Sequence, residues 1–297
     1  MMEPIVLIGR NGQLGRELLY ILKSWGVKNL ISFDRTTFDL SKTSEIISNI
    51  QEIKPRIVIN AAAYTAVDKA ESEPELAHQI NAIAPSIIAQ ETQKLGAFLI
   101  HYSTDYVFNG KQSFPYQETD LTNPLNVYGK SKLEGEIAIQ RNCDNHLLIR
   151  TSWVYGNYGK GNFVKTMLRL GKEKKEIRVV VDQIGSPTWT NDLAKTTVQA
   201  IAKKEAIQSG IYHYTNSGVA SWYDFAVAIF AEAKQLGFPM QLEKVIPITT
   251  SEYPTQAQRP NYSVLSSHKM AKFLGTHPPH WHQSLRDMLQ NLPMINQ

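Results

Sequence analysis

The sequence predicts an α/β fold, a doubly wound parallel sheet with a smaller C-terminal α/β lobe. Three observations predict it: short β-rich runs alternate with amphipathic stretches, a glycine-spaced turn follows the first run, and the pattern loosens after Arg150. Ile5–Ile8, Asn29–Phe33, Arg56–Asn60, Ala97–Tyr102 and His146–Arg150 read as strands, since each is a short apolar run bounded by turn residues. Gln13–Trp25, Thr43–Ile53, Ala82–Leu95 and Val127–Gln140 carry apolar residues at helical spacing and are long enough for crossovers. Regular alternation of the two implies a parallel sheet covered by helices on both faces. Further on, Asn162–Lys172, Asn191–Lys203 and Trp222–Leu236 read as helices, with strands near Arg178–Val181, Gly210–Tyr214 and Lys244–Ile246.

A chain of 297 residues with a 42% apolar share buries a sizeable core without staples. Cys143 is the only cysteine, so no internal disulfide forms, which agrees with a reducing compartment. Ile5–Ile8 lacks a basic flank and is too short for a signal peptide or a membrane span, so the reading is a cytoplasmic protein with no membrane partner. The net charge of +4 is interspersed rather than gathered, which gives weak support to an anionic ligand and none to nucleic acid.

Directly after the first strand comes Gly9-Arg10-Asn11-Gly12-Gln13-Leu14-Gly15, opening the first helix. Glycines at Gly9, Gly12 and Gly15 let the backbone turn sharply and approach a pyrophosphate over free N–H groups at a helix N-terminus. A plain glycine-rich turn would explain the spacing alone; strand, glycines and helix in sequence favour a Rossmann-like dinucleotide site. The second strand ends in Phe33-Asp34-Arg35, where Asp34 can accept hydrogen bonds from an adenosine ribose and Arg35 can pair with a 2′-phosphate. The pair therefore predicts NADH or NADPH as cofactor. Residues 1–155 form the dinucleotide-binding domain on this reading, and residues 156–297 mainly a substrate lobe, with some elements returning to the first.

Tyr128 and Lys132 lie four apart at the start of a predicted helix, so they share a face. That spacing is common by chance, but Ser103-Thr104-Asp105 just past the fourth strand stands at the same rim of the sheet. Carbonyl reduction needs a proton donor beside the oxygen that becomes an alkoxide, and an ammonium near a phenol lowers its pKa from about 10. The expected roles are Tyr128 as acid, Lys132 as its activator and Thr104 as the orienting hydroxyl. The plainer alternative makes Tyr128 a packing residue and Lys132 a surface charge.

Together these residues resemble the extended short-chain dehydrogenases that act on sugar nucleotides. Asn60-Ala61-Ala62-Ala63 after the third strand adds to the likeness, as do longer stretches: Ala62 to Glu71, His101 to Phe108, Arg150 to Tyr155, Asp182 to Thr188, and Arg259-Pro260. The resemblance covers nearly the whole chain and is similar most of all to the branch that reduces a dTDP-4-dehydro-6-deoxy-L-sugar at C4, giving dTDP-L-rhamnose. It implies Gly12, Gln13 and Leu14 on the pyrophosphate, Asp39 and Leu40 by the adenine, and Ala61, Ala62, Ala63, Tyr64, Thr65 and Tyr102 along the cofactor. Asp105 and Trp153 would line the sugar pocket with Thr104. Asn162 and Arg259 are candidates for the nucleotide end, from an amide near a helix start and a guanidinium suited to a diphosphate.

Some members of that family hold Mg²⁺ between subunits through glutamates. Glu17, Asn191 and Asn291 stand at those positions here, leaving one carboxylate where a hard cation wants several. The expectation is no metal and a monomer or weak homodimer. His277, His280 and His282, interrupted by Pro278 and Pro279, read as solvated residues. Four alternatives stay open: another nucleotide-sugar reductase, a dehydratase, an epimerase, and a non-catalytic dinucleotide-binding subunit such as the regulatory subunit of methionine adenosyltransferase that resembles this family. Dehydratases usually place a glutamate after Thr-Asp, where this chain has Tyr106.

Overall fold

Four consecutive aliphatic residues, Ile5–Ile8, have no polar side to give to water, and they form β1, an interior strand one in from the edge of a six-stranded parallel sheet. The computed structural model describes residues 4–292. β2 (Leu30–Phe33) pairs with one edge of β1 and β3 (Ile57–Asn60) with the other. β4 (Phe98–Thr104) and β5 (His146–Thr151) follow β3, and the Gly210–His213 strand closes the far edge beside β5. The winding therefore reverses at β1, which opens a crevice at the carboxyl ends of β1 and β3.

Alternate strand residues feed two cores. Ile5, Leu7, Ile57, Ile59, Phe98, Ile100, Leu147 and Ile149 pack on α1 (Gln13–Ser24) and the Thr190–Ala202 helix through Leu18, Leu22, Leu193 and Val198. Val6, Ile8, Val58, Leu99 and Leu148 pack on α2 (Thr43–Ile53) and on the Ala84–Lys94 and Val127–Asn142 helices. A third core, with Tyr155, Met167, Phe225, Ile229 and Leu285, joins the later helices to the Glu176–Val180 strand.

Predicted strands and helices lie within a few residues of those observed, and three differences have physical causes. The expected Ala82–Leu95 helix begins at Ala84, after a helix at Pro74–His78 and a π turn at Gln79–Ile83. That wide turn sets Asn81 so that its amide bonds both backbone groups of Tyr64, at 2.9 and 3.0 Å, and Ser131 Oγ at 3.0 Å. The helices His268–Leu274 and Trp281–Gln290 were hidden by the His/Pro segment between them. His280 caps the second by accepting from His282 N–H, and His282 lies 3.0 Å from Glu232, so these two are engaged rather than merely solvated. Among the described residues no helix is long and apolar enough to cross a membrane.

Gly15 makes the glycine turn possible, since a Cβ there would lie 2.0 Å from the Gly9 carbonyl oxygen. Gly15→Ala should destabilise the fold by about 1–3 kcal/mol or more, because α1 must back away from β1. Gly161→Ala, with nothing within 4 Å, should be near neutral. Urea unfolding of both variants checks this; equal midpoints would mean that α1 yields freely.

Candidate active site

Gly9 has φ +92°, and a Cβ there would meet the Ala62 backbone nitrogen at 2.9 Å. The turn is pinned to the second strand, with Gly9 and Arg10 N–H both donating to the Phe33 carbonyl at 2.9 and 2.8 Å. α1 starts with Gly12 at its N-cap and no side chain capping it, so its first N–H groups are left for a ligand. They face a cavity of about 540 Å³ at the crevice.

Most residues named for the cofactor line this cavity. Gly9, Gly12, Gln13 and Leu14 do so from the glycine loop, Asp34, Arg35, Asp39 and Leu40 from the end of β2, and Ala61, Ala62, Ala63, Tyr64 and Thr65 from the end of β3. Tyr102, Tyr128 and Lys132 close the other end. Gly15 does not line it and instead lies against the back of the loop. Asp34 is more engaged than the sequence indicates. Arg10 donates to it through Nε and Nη2 at 3.1 and 2.7 Å, and Thr36 Oγ1 at 2.6 Å; Thr36 and Arg10 hold the carboxyl well below the usual carboxylate range. Arg10 does not line the cavity but brings a second guanidinium to Asp34, the residue before Arg35. Its position inside the glycine loop was the available signal.

Asn126 caps the Val127–Asn142 helix, its Oδ1 accepting from Gly129 N–H at 2.8 Å. A Cβ on Gly129 would lie 2.2 Å from the Tyr106 carbonyl oxygen, so the helix can press against the turn after β4 and bring Tyr128 to Thr104. Burial pushes the Tyr128 phenol up to about 12, against the opposing hydrogen bond from Thr104. Lys132 is 2% exposed, and its Nζ lies 2.7 Å from the Tyr102 carbonyl oxygen and 3.1 Å from His101 Nε2. Burial lowers it to about 8, while the Glu136 charge acts the other way. The expected lowering of the phenol pKa is therefore corrected: desolvation outweighs the Thr104 hydrogen bond, and the bonds of the Lys132 ammonium are to β4.

The residues named for the substrate do not line the cavity and have partners of their own. Thr104 Oγ1 donates to Asp105 Oδ1 at 3.0 Å; Asp105 is buried, with Oδ2 unpartnered, and desolvation raises it to about 6. Trp153 has φ +46° and stacks on Trp222, with ring centroids 3.5 Å apart and planes 7° apart. Gly185 leaves room for that indole, since a Cβ would lie 2.6 Å from Trp153 Cε2. Asn162 caps the Phe163–Glu173 helix and donates to the Gly156 carbonyl, while Arg259 forms a two-pronged pair with Asp68 at 3.0 and 2.7 Å. Those bonds account for both side chains without a ligand.

Two further groups were missed. Ser103 Oγ and Thr151 Oγ1 line the cavity near Tyr128, are buried, and have no hydrogen-bond partner. Both stand at the carboxyl ends of neighbouring strands, which is where a ligand-facing hydroxyl could have been sought. Unpaired hydroxyls at one end and an uncapped helix at the other fit a dinucleotide with a polar ring at its far end. Among the described residues no three His, Cys, Asp or Glu side chains gather as a metal group.

Comparison with known proteins agrees with this geometry. A family model described as the RmlD substrate binding domain matches residues 2–294. The dTDP-4-dehydrorhamnose reductase of Escherichia coli K12 is 46% identical over 295 residues, 97% of each chain. The chain belongs to the dTDP-4-dehydrorhamnose reductase family. A family structure from Bacillus anthracis, solved in complex with NADP, is 40% identical with a TM-score of 0.90, covering 98% of this chain and 99% of that one. The UDP-glucose 4-epimerase of Thermus thermophilus, 17% identical with a TM-score of 0.80 and covering 99% of this chain, shares the fold.

The Trp153–Trp222 stack gives this reductase-family site an optical handle. Gly185→Ala should displace the Trp153 ring and weaken the near-ultraviolet circular dichroism of the pair while the far-ultraviolet spectrum is kept. An unchanged near-ultraviolet spectrum would show that the ring has room to spare.

Proposed function

We propose that the protein is an NAD(P)H-dependent reductase converting the C4 ketone of dTDP-4-dehydro-6-deoxy-L-mannose to the alcohol of dTDP-L-rhamnose. The observation that carries the reading is Tyr128 and Lys132 at one end of a dinucleotide-sized cavity, with Thr104 hydrogen-bonded to the Tyr128 phenol behind it, in a chain of this family. When bound, a reduced nicotinamide dinucleotide supplies the hydride. Tyr128 holds the proton that the carbonyl oxygen takes up, and a phenol at about 12 keeps that proton at neutral pH. Thr104 orients the ketone oxygen toward it, and Lys132 stabilises the phenolate left behind. Ser103 and Thr151, whose hydroxyls line this end of the cavity without a partner, would hold the polar substituent of the nicotinamide.

Asp105 and the Trp153 wall bound the sugar. Residues 1–155 hold the dinucleotide and 156–297 form most of the sugar-nucleotide lobe, with Thr190–Ala202 and Gly210–His213 packed on the first. Tyr106 sets a half-buried phenol, edge-on to Tyr128 with ring centroids 5.8 Å apart, where an eliminating enzyme would need a base, which favours reduction over dehydration. No metal takes part on our reading. Glu17 accepts from Asn191 Nδ2 at 2.7 Å, so a cation would have to displace an amide N–H, and Asn291 donates to the Asp287 carbonyl in its own helix. The enzyme works as a monomer or weak homodimer in the cytoplasm.

Tyr128→Phe should leave cofactor binding nearly intact and cost on the order of 10²–10⁴ in kcat. Near-normal turnover would mean that another group protonates the alkoxide. Cofactor choice is tested separately, by KM ratios for NADPH and NADH. Arg10→Ala or Arg35→Ala should weaken NADPH more than NADH, by roughly ten- to a hundredfold, because a charge-assisted bond to a phosphate contributes about 1.5–3 kcal/mol. Asp34→Ala should move the ratio the other way; equal losses with both cofactors would show that neither arginine faces the ribose.

A further inference from the structure

Behind Lys132 stand two buried side chains that the reduction as described does not use. His101 on β4 and Asn60 at the end of β3 are register partners, each 1% exposed. The imidazole bridges them: Nε2 lies 3.1 Å from Lys132 Nζ, and Nδ1 lies 3.1 Å from Asn60 Nδ2. Asn60 Oδ1 meanwhile accepts the Ala62 backbone N–H at 3.1 Å.

This chain of bonds leaves no freedom in the proton positions. A neutral imidazole has one N–H and one lone pair, an ammonium three N–H groups and no lone pair. With the Asn60 amide turned to accept from Ala62, its N–H faces Nδ1, so Nδ1 accepts and the ring proton sits on Nε2. That N–H then points at Lys132, and only the uncharged amine can receive it. An ammonium at Lys132 requires the reverse: Nε2 accepting, the proton on Nδ1, and the Asn60 amide turned over, which takes the acceptor away from Ala62 N–H. A doubly protonated ring is no escape, because burial, and then the Lys132 charge, hold His101 well below its ordinary pKa.

Resting on the reductase reading, we propose that His101 is a positioning residue whose tautomer changes with the charge on Lys132, and that the Asn60 amide carries this change to the Ala61–Ala62 floor of the cofactor cavity. At equilibrium the ammonium with an Nδ1–H imidazole becomes the amine with an Nε2–H imidazole, and one proton is released. Ala62 is the residue against which Gly9 is packed, so the charge that serves Tyr128 is tied to the bed of the dinucleotide. Other groups bear on the pair less directly. From its own helix Glu136 acts on Lys132, and from β4 the Tyr102 carbonyl accepts from it. Glu136 is paired with Arg150 of β5 at 2.7 Å, and Arg150 lies 3.5 Å from His213 on the edge strand. Asp105 acts on Tyr128 from the turn after β4.

The test is two-bond proton–nitrogen correlation of the ligand-free protein with ¹⁵N-labelled imidazoles. The His101 signal is assigned by its loss in His101→Gln and by its contact with the Asn60 side-chain amide, so assignment survives if that variant fails to fold. The expected result is a change from the Nδ1–H to the Nε2–H pattern as pH rises, centred near the Lys132 value of about 8. Lys132→Met should abolish the change, and Asn60→Asp, whose carboxylate accepts from both Nδ1–H and Ala62 N–H, should move it upward by about one pH unit or more. A single tautomer from pH 6.5 to 9.5, or a change that persists in Lys132→Met, overturns the proposal. If the change is present but the keto-sugar is not reduced, the reductase reading alone fails.

Discussion

Lys132 is a long cationic side chain sealed inside the protein, and its desolvation is the constraint to which the rest of the site conforms. An ammonium out of water must find acceptors nearby. Here they are the Tyr102 carbonyl and His101, both on β4, so the charge is tied to the central sheet rather than to a mobile loop. Glu136, one turn along the helix, favours the charged form, but its own carboxylate is clamped in a buried ion pair with Arg150. The cation therefore sits in a held position with little surplus stabilisation, as the role we propose for it beside a transient phenolate would require.

The cofactor end obeys a different constraint, the closeness of two backbones. Gly9 sits against Ala62, and Gly15 against Gly9, with no space for a Cβ at either place. This packing draws the start of α1 down onto the ends of β1 and β3, where the sheet's winding reverses, and aims uncapped N–H groups into the crevice. The two constraints meet at Asn60, the last residue of β3, whose amide touches His101 on one side and the Ala62 N–H on the other.

How much of this was legible in the sequence depends on range. The doubly wound sheet could be read because its strands are continuous aliphatic runs and its helices keep a 3.6-residue apolar period, both local signals. The glycine loop and the Tyr128/Lys132 spacing were legible for the same reason. The path of each long side chain was not. Arg10 reaches back to Asp34, 24 residues on, and Arg259 to Asp68, 191 residues away. Spacing cannot show that such a guanidinium is already committed. Asn162 was read as a ligand for an anion at a helix start, yet the same amide chemistry makes it a cap, and a capping residue and an anion-binding residue look alike in sequence.

The phenol's pKa shows why site electrostatics resists reading from residue types. Sequence gives the ammonium and the phenol four residues apart, and Coulomb attraction alone would lower the phenol. Folding adds two influences the spacing does not contain: desolvation of the phenol, and acceptors that turn Nζ toward β4. Burial disfavours the phenolate more than Thr104's hydrogen bond favours it, so the acid rests protonated. For a reductase that balance has a direction. If Tyr128 is the donor, as we propose, it is charged only in the act of giving up its proton, so whatever stabilises the anion acts in the transition state rather than being spent in the ground state.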